Sequence, residues 1–229
     1  MYFLVSVKNF CIDEDYRQQS LLRFRYPFKL QQLSTYTVMN RYPRLFAACR
    51  DYFDDKKDLK ILSYGCSTGE EVLSLREYFP TAFIVGAEIN PQALAKCREL
   101  EVDNRIAFVR SDTKIIKRLA PFDAIFCMAV LQRTPHKVIN ENITNLKRIY
   151  PFSKFETQIR LLDACLKNDG LLVVHHTQYL LADTSVGSSY QSLNEARQEV
   201  DIAPKFDKNG NRIDEYQLPK QSIFIKKKT

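Results

Sequence analysis

The stretch KILSYGCSTGEE, residues 60–71, places two glycines four apart in a chain with only 6 Gly among 229 residues. Without a Cβ, Gly65 and Gly69 can each take a positive φ and let a ligand lie against the main chain. Glu70 and Glu71 follow at once. Two carboxylates suit the positive end of a helix dipole, where they repel a phosphate and welcome a cation. A dinucleotide loop would read G-x-G-x-x-G, whereas this one reads G-C-S-T-G-E with Ser67 in its middle. The G-K-[ST] of a nucleoside triphosphate loop is missing as well. The spacing therefore fits a nucleoside that carries positive charge.

These residues need elements to hold them. From Leu59 onward, apolar runs alternate with amphipathic ones. LKILSY predicts a first strand and GEEVLSLREYF a helix closed by Pro80. AFIVGAEI predicts a second strand, and NPQALAKCREL a helix with Asn90 as cap and Pro91 at its first position. RIAFVRS and FDAIFCMAV predict two more strands. FSKFETQIRLLDACLKNDG predicts a helix stopped by Gly170, and LLVVHHTQ a fifth strand. Near-continuously apolar strands between helices imply a parallel sheet covered on both faces. The expected fold class is α/β: a Rossmann-like, mostly parallel sheet with an antiparallel C-terminal hairpin, announced by Asn209-Gly210 between two strand-like segments. Before Leu59 the pattern is helical, as in YPRLFAACRDYF, and DYFDDKKD is a polar linker. The chain divides into a helical N-terminal appendage, residues 1–58, and an α/β domain, residues 59–229. In open parallel sheets the ligand sits beyond the carboxyl ends of the strands, by the first one. Gly65–Gly69 fall there.

With this loop and an acid ending the second strand, the sequence resembles the class I S-adenosylmethionine-dependent methyltransferases over about residues 58–180. GCSTGEE is particularly similar to the loop of the chemotaxis-receptor (CheR-type) glutamate methyltransferases, and FDAIFCMAVL resembles their fourth-strand segment. The resemblance implies S-adenosyl-L-methionine as cofactor and methyl transfer as activity. It implies that Gly65, Cys66, Ser67, Thr68 and Gly69 pass under the methionine and ribose, and that Glu70 faces the ammonium or sulfonium. Glu88, with Ile89 beside it, would accept the ribose hydroxyls; a carboxylate can take two O–H donors at once. Asp112, with Thr113 beside it, would read the adenine amino group, and Cys127 and Met128 would line the cleft. Each residue also has a plain structural use: turn glycines, helix or turn caps for Glu88 and Asp112, core for Cys127 and Met128. The likeness stops after the fourth strand. Those enzymes carry Asn there and Tyr four residues on, where Ala129 and Arg133 stand here.

The methyl acceptor is less marked. The [ND]-P-P-[YFW] and Pro-Cys signatures of base-methylating enzymes are absent. That leaves a small molecule or a protein side chain, and a small molecule is the expectation. Groups to align or deprotonate it would come from the ends of the fourth and fifth strands: Gln132, Arg133 and His136, then His175, His176 and Tyr179. Adjacent histidines on a strand point to opposite faces, so at most one would enter the cleft. Arg133 suits anchoring, because a guanidinium does not deprotonate. The long connection QRTPHKVINENITNLKRIYPF suggests a lid. Tyr36, Arg41, Tyr42 and Arg44 of the appendage are placed to contact an anionic or aromatic acceptor, or to pack on the sheet.

Composition narrows the setting. The chain is 45% hydrophobic and 27% charged, ordinary for a globular protein, and no apolar run approaches the roughly 18 residues of a membrane span. MYFLVSVKNF has neither a basic leader nor a small-residue cleavage site and reads as mature protein. Cysteines 11, 49, 66, 97, 127 and 165 stand singly, without C-x-x-C or zinc-like spacing to the histidines. Isolated thiols fit a reducing cytoplasm, and no metal is expected. The net charge of +7 gathers between Arg17 and Arg50, with seven basic and no acidic residues interleaved with Phe24, Tyr26, Phe28, Tyr36, Tyr42 and Phe46, and again in Lys226–Lys228. That stretch is either a docking surface, which would make the acceptor RNA or protein, or a solvated helical face. A non-catalytic module that binds the cofactor as a signal is the other reading the loop allows.

Overall fold

The computed structural model describes residues 17, 20–22, 24, 31–32, 34–54, 56–193, 199, 201, 203–213 and 221–228; Cys11, Tyr26 and Phe28 lie outside them. Seven strands form one sheet: β1 (Lys60–Tyr64), β2 (Phe83–Glu88), β3 (Ile106–Arg110), β4 (Phe122–Met128), β5 (Leu166–His175), β6 (Tyr190–Ser192) and β7 (Ile223–Lys226). Their order is β3-β2-β1-β4-β5-β7-β6. The first five are parallel, and β7 runs antiparallel to β5 and β6. The order reverses between β1 and β4, which opens a crevice beyond their carboxyl ends.

From residue 43 on, the helices of the described residues that cover the sheet are α1 (Pro43–Phe53), α2 (Glu70–Tyr78), α3 (Pro91–Arg98), α4 (Thr113–Leu119), α5 (Pro135–Asn140) and α6 (Phe152–Asp163). Side chains alternate across each strand, which supplies two cores. Leu62, Ile125, Cys127 and Leu172 share one with Ile116 of α4 and Phe155, Ile159 and Leu162 of α6. Ile61, Phe126 and Val173 share the other with Leu45, Phe46 and Cys49 of α1 and Leu75 of α2. The α1 helix is thus a covering layer of the sheet. Its first free N–H groups are capped by the Glu199 carboxylate, which accepts from Arg44 N at 2.6 Å and Leu45 N at 2.7 Å.

One expected boundary moves. The helix that Gly170 was expected to stop ends at Asp163, and β5 begins at Leu166. Leu166 pairs with Phe122, but the next pair is Leu171 with Ala124, so Lys167–Gly170 bulges out of β5. Lys167 reaches the buried Asp123 at 2.8 Å, and a Cβ on Gly170 would meet Lys167 O at 2.8 Å and Asp123 O at 2.9 Å. Gly170 serves a close backbone approach inside a strand. The antiparallel C-terminal pair is β6–β7. The Asn209-Gly210 turn lies between them in sequence but outside the sheet, in a small excursion where Phe206 bridges Arg212.

Candidate functional site

A cavity of about 730 Å³ lies at the crevice, within the usual size of ligand sites. Its wall runs from Ser111, after β3, to Gln132 and Thr134, after β4. That is three strand steps, or about 14 Å at the usual spacing.

The loop after β1 turns as its glycines require. Gly65 has φ +84°, Ser67 φ +52° and Gly69 φ +105°. Gly65 N and Cys66 N both donate to Ala87 O, at 2.7 and 3.2 Å. Close approach is demanded first by the protein itself, because a Cβ on Gly65 would run into Val130 Cγ2 and one on Gly69 would lie 2.5 Å from Leu100 Cδ1. Gly65, Cys66 and Ser67 are on the cavity wall, and Thr68 and Gly69 are not.

Glu88 ends β2 at 7% exposure. It accepts Ser67 N at 2.9 Å on Oε2, and Ile89 N and Asn90 N, each at 2.7 Å, on Oε1. Burial pushes its carboxyl up, and the three N–H groups partly offset that. A carboxylate has about four acceptor sites, so these donors leave room for one more. Glu88, Ile89 and Asn90 all line the cavity.

The two glutamates of the loop part company. Successive residues on a helix stand about 100° apart, and it is Glu71, not Glu70, that lines the cavity. Glu70 Oε2 accepts from Thr68 Oγ1 at 2.7 Å. Glu71 Oε1 accepts from Ser63 Oγ at 2.7 Å. Burial pushes the Glu71 carboxyl up to about 7, against the Ser63 hydrogen bond and the charge of Arg41. Arg41 shares the wall, its guanidinium 5.2 Å from the Tyr36 ring centre and 5.1 Å from that of Tyr42.

Residues 31, 32 and 34–42 run as a strap along the cavity, with Gln31, Thr35, Tyr36, Arg41 and Tyr42 on its wall. At one end Gln31 accepts from Tyr150 OH at 2.6 Å and, through its carbonyl, from the Arg133 guanidinium at 3.1 Å. Along the other side Thr35 O accepts from Ser67 Oγ at 2.7 Å, and Asn40 N donates to Ser74 Oγ at 2.7 Å. Nothing in the local sequence of this strap signals such long-range pinning. Arg44, expected with Arg41 to contact the acceptor, is not on the cavity wall.

Beyond β3 the wall residue is Ser111. Asp112 caps α4, accepting Lys114 N at 2.9 Å, and its carboxylate lies 3.7 Å from Arg110; Thr113 begins that helix, exposed. On β4, Cys127 faces the core while Met128 lines the cavity, as alternation requires. Beyond it Ala129 takes φ +56° and Thr134 φ +43°. Gln132, buried on the wall, donates to Ala129 O at 3.1 Å. Arg133 is off the wall, and His136 stands exposed on it.

The histidine pair departs from the expected geometry. His176 leaves the strand with φ +52°, so its ring comes back beside that of His175, 4.1 Å between centres, instead of to the opposite face. His175 is 1% exposed, its Nδ1 2.7 Å from Ser222 Oγ. Burial, then the neighbouring His176, pushes it down to about 3, so it is neutral. His176 Nδ1 lies 3.3 Å from Asp201 Oδ1. Neither ring is on the cavity wall; His175 instead backs Tyr42, edge-on at 5.0 Å. Tyr179 is buried with its hydroxyl on Tyr150 O.

Residues 61–150 match a family model described as a methyltransferase domain. Among solved structures, the chain is similar to the plantazolicin methyltransferase BpumL in complex with SAH, at 19% identity over 74% of this chain and 56% of that one, TM-score 0.42. It is similar to a precorrin-6y C5,15-methyltransferase from Geobacter metallireducens GS-15, at 18% over 57% and 60%, TM-score 0.40. It is also similar to a SAM-bound amino pentose methyltransferase from Micromonospora echinaspora, at 20% over 58% and 48%, TM-score 0.41. The chain spans between about half and three-fifths of the length of these structures. No curated protein matches it. The segment that resembles a methyltransferase domain runs from β1 through the connection ahead of α6, and it includes the strands beside which the crevice opens.

Proposed function

We propose that the protein is an S-adenosylmethionine-dependent methyltransferase that acts on a small molecule. The observation that carries this is Glu71 turned into the cavity beside the Gly65–Gly69 loop, with Arg41 on the same wall. A carboxylate and a guanidinium together suit the ammonium and carboxylate of an amino acid, and a carboxylate there disfavours a pyrophosphate. The remaining acceptor site of Glu88 suits one ribose hydroxyl, and Ser111 with Ile89 suits the base. When bound, the cofactor supplies a methyl on a sulfonium for transfer to O, N or S.

The chain's own part is alignment. Met128 and Ala129 line the cavity at the end of β4 and strap residues line it as well, an arrangement suited to holding two bound molecules in register. The strap and α1, within the stretch read as an appendage (residues 1–58), pack against the domain of residues 59–229. The likeness to CheR-type enzymes is carried to the cofactor loop alone. A cytoplasmic setting is supported by the five free, buried thiols among the described residues; among them, no helix is long and apolar enough to cross a membrane.

Calorimetric titration tests the reading. S-Adenosylmethionine and S-adenosylhomocysteine should bind at micromolar levels and nicotinamide dinucleotides should not. Binding of a dinucleotide alone overturns it.

A further inference from the structure

Charge on the cavity wall is confined to one end. Among the described residues, the wall's Asp, Glu, Lys and Arg side chains are Arg41, Glu71 and Glu88, and all three belong to the proposed cofactor contacts. The end past β4 is built from Gln31, Gln132 and Thr134 with Met128 and Pro135, and it carries the exposed imidazole of His136. The nearest cation in sequence, Arg133, holds the strap carbonyl of Gln31 at 3.1 Å and is not on the wall. A charged molecule entering this end would lose water and meet no carboxylate, ammonium or guanidinium, which is costly. Amide and hydroxyl groups would meet partners.

The loop that carries these groups is strained. Ala129 and Thr134 both hold left-handed backbone, at φ +56° and +43°, an uncommon state for non-glycine residues and an outlying one for a β-branched residue. Such strain persists where the surroundings enforce it, and it gathers at ligand sites. Thr134 also keeps a buried hydroxyl with no hydrogen-bond partner among the described residues, a group that rotation about one bond can offer to a ligand.

We propose that this end selects an uncharged acceptor with an apolar body and an amide or hydroxyl group, and that Gln132 and Thr134 determine that specificity. The inference rests on the methyltransferase reading, because the cofactor's hold on the charged end is what leaves this end to the acceptor.

Three probes of one shape decide it: benzamide, benzoate and benzylammonium, each titrated by NMR into protein saturated with S-adenosylhomocysteine. Benzamide should bind at least about tenfold more tightly than either ion, a difference of about 1.4 kcal/mol. Thr134→Ala, which also eases the strained backbone, should weaken benzamide several-fold and leave S-adenosylhomocysteine affinity unchanged. Equal or tighter binding of an ion, or no benzamide binding at millimolar concentration, overturns the proposal. The S-adenosylhomocysteine titration is read separately, so loss of the cofactor reading is seen on its own.

Discussion

The Oε2 of Glu88 accepts the backbone N–H of Ser67 at 2.9 Å, which ties the end of β2 to the turn after β1. The acid therefore shapes the loop as well as facing the cavity. Glu88→Gln tests this more sharply than Glu88→Ala. Both oxygens face backbone donors, so either amide orientation sets an NH₂ against an N–H. The variant should lose about 1–3 kcal/mol of stability, the cost of a buried unpaired donor. S-Adenosylhomocysteine should bind at least about tenfold more weakly. Urea melts and calorimetry check both, and an unchanged melt would show that the loop does not depend on this carboxylate.

Glu71 gives a pH signature. Its folded-state pKa is raised from 4.5 to about 7, so the folded protein holds a proton that the unfolded chain has released. Stability of the ligand-free protein should fall as pH rises from about 4.5 to 7, because fewer protons are bound in the unfolded state. The loss is at most about 3 kcal/mol at 1.36 kcal/mol per pKa unit, and less where cavity water screens the charge. Glu71→Gln, which keeps an acceptor for Ser63, should flatten this slope in denaturant melts across the window. Cofactor affinity should run the other way and strengthen toward about pH 8, where the carboxylate is ionised. Equal S-adenosylhomocysteine affinity at both ends of the range would remove Glu71 from the cofactor contacts.

Much of this was legible in the sequence, for local reasons. The apolar runs of β1 to β4 lie close to their expected positions, and Asn90 caps α3 as expected, accepting Gln92 N at 3.0 Å. What was not legible depends on distant partners. Gly170 follows a helical pattern, and the break in register against β4, with Lys167 tied to Asp123, places it in a strand bulge. Glu70 and Glu71 are equivalent by type, and the phase of α2, set by Gly69 at φ +105°, decides which one enters the cavity. His176 has a strand-like context, yet its positive φ and Asp201 redirect it. The strap meets its anchors Ser67 and Ser74 across more than thirty residues of chain.

Gly65 carries two separable penalties. Its φ of +84° resists any side chain, and Val130 fills the place a Cβ would take. Gly65→Ala should cost more than about 1 kcal/mol, as alanine does at positive φ. Adding Val130→Ala should return the part due to the clash and not the part due to φ. Denaturant melts of the two single variants and the double variant separate the shares, since contacting residues show non-additive energies. Strict additivity would mean that Val130 does not occupy that space.

Tyr42 makes the sharpest case for function. The side chain is 5% exposed, its ring packs on His175 and Phe46, and its hydroxyl has no hydrogen-bond partner among the described residues. Burial pushes the phenol strongly up, so it is neutral. Leaving such a group unpaired costs about 1–3 kcal/mol. Tyr42→Phe keeps the ring and removes the unpaired atom, so the variant should be at least as stable as the parent, with a melting temperature higher by about 2–4 °C for each kcal/mol gained. If the hydroxyl is kept for the bound acceptor, the same variant should bind S-adenosylhomocysteine as before and bind or methylate its acceptor more weakly, a trade of stability against activity. Thermal melts, calorimetry and turnover on one protein sample give the three readings. A less stable Phe variant would show that the hydroxyl is paired after all, and a more stable one with full turnover would remove Tyr42 from the site.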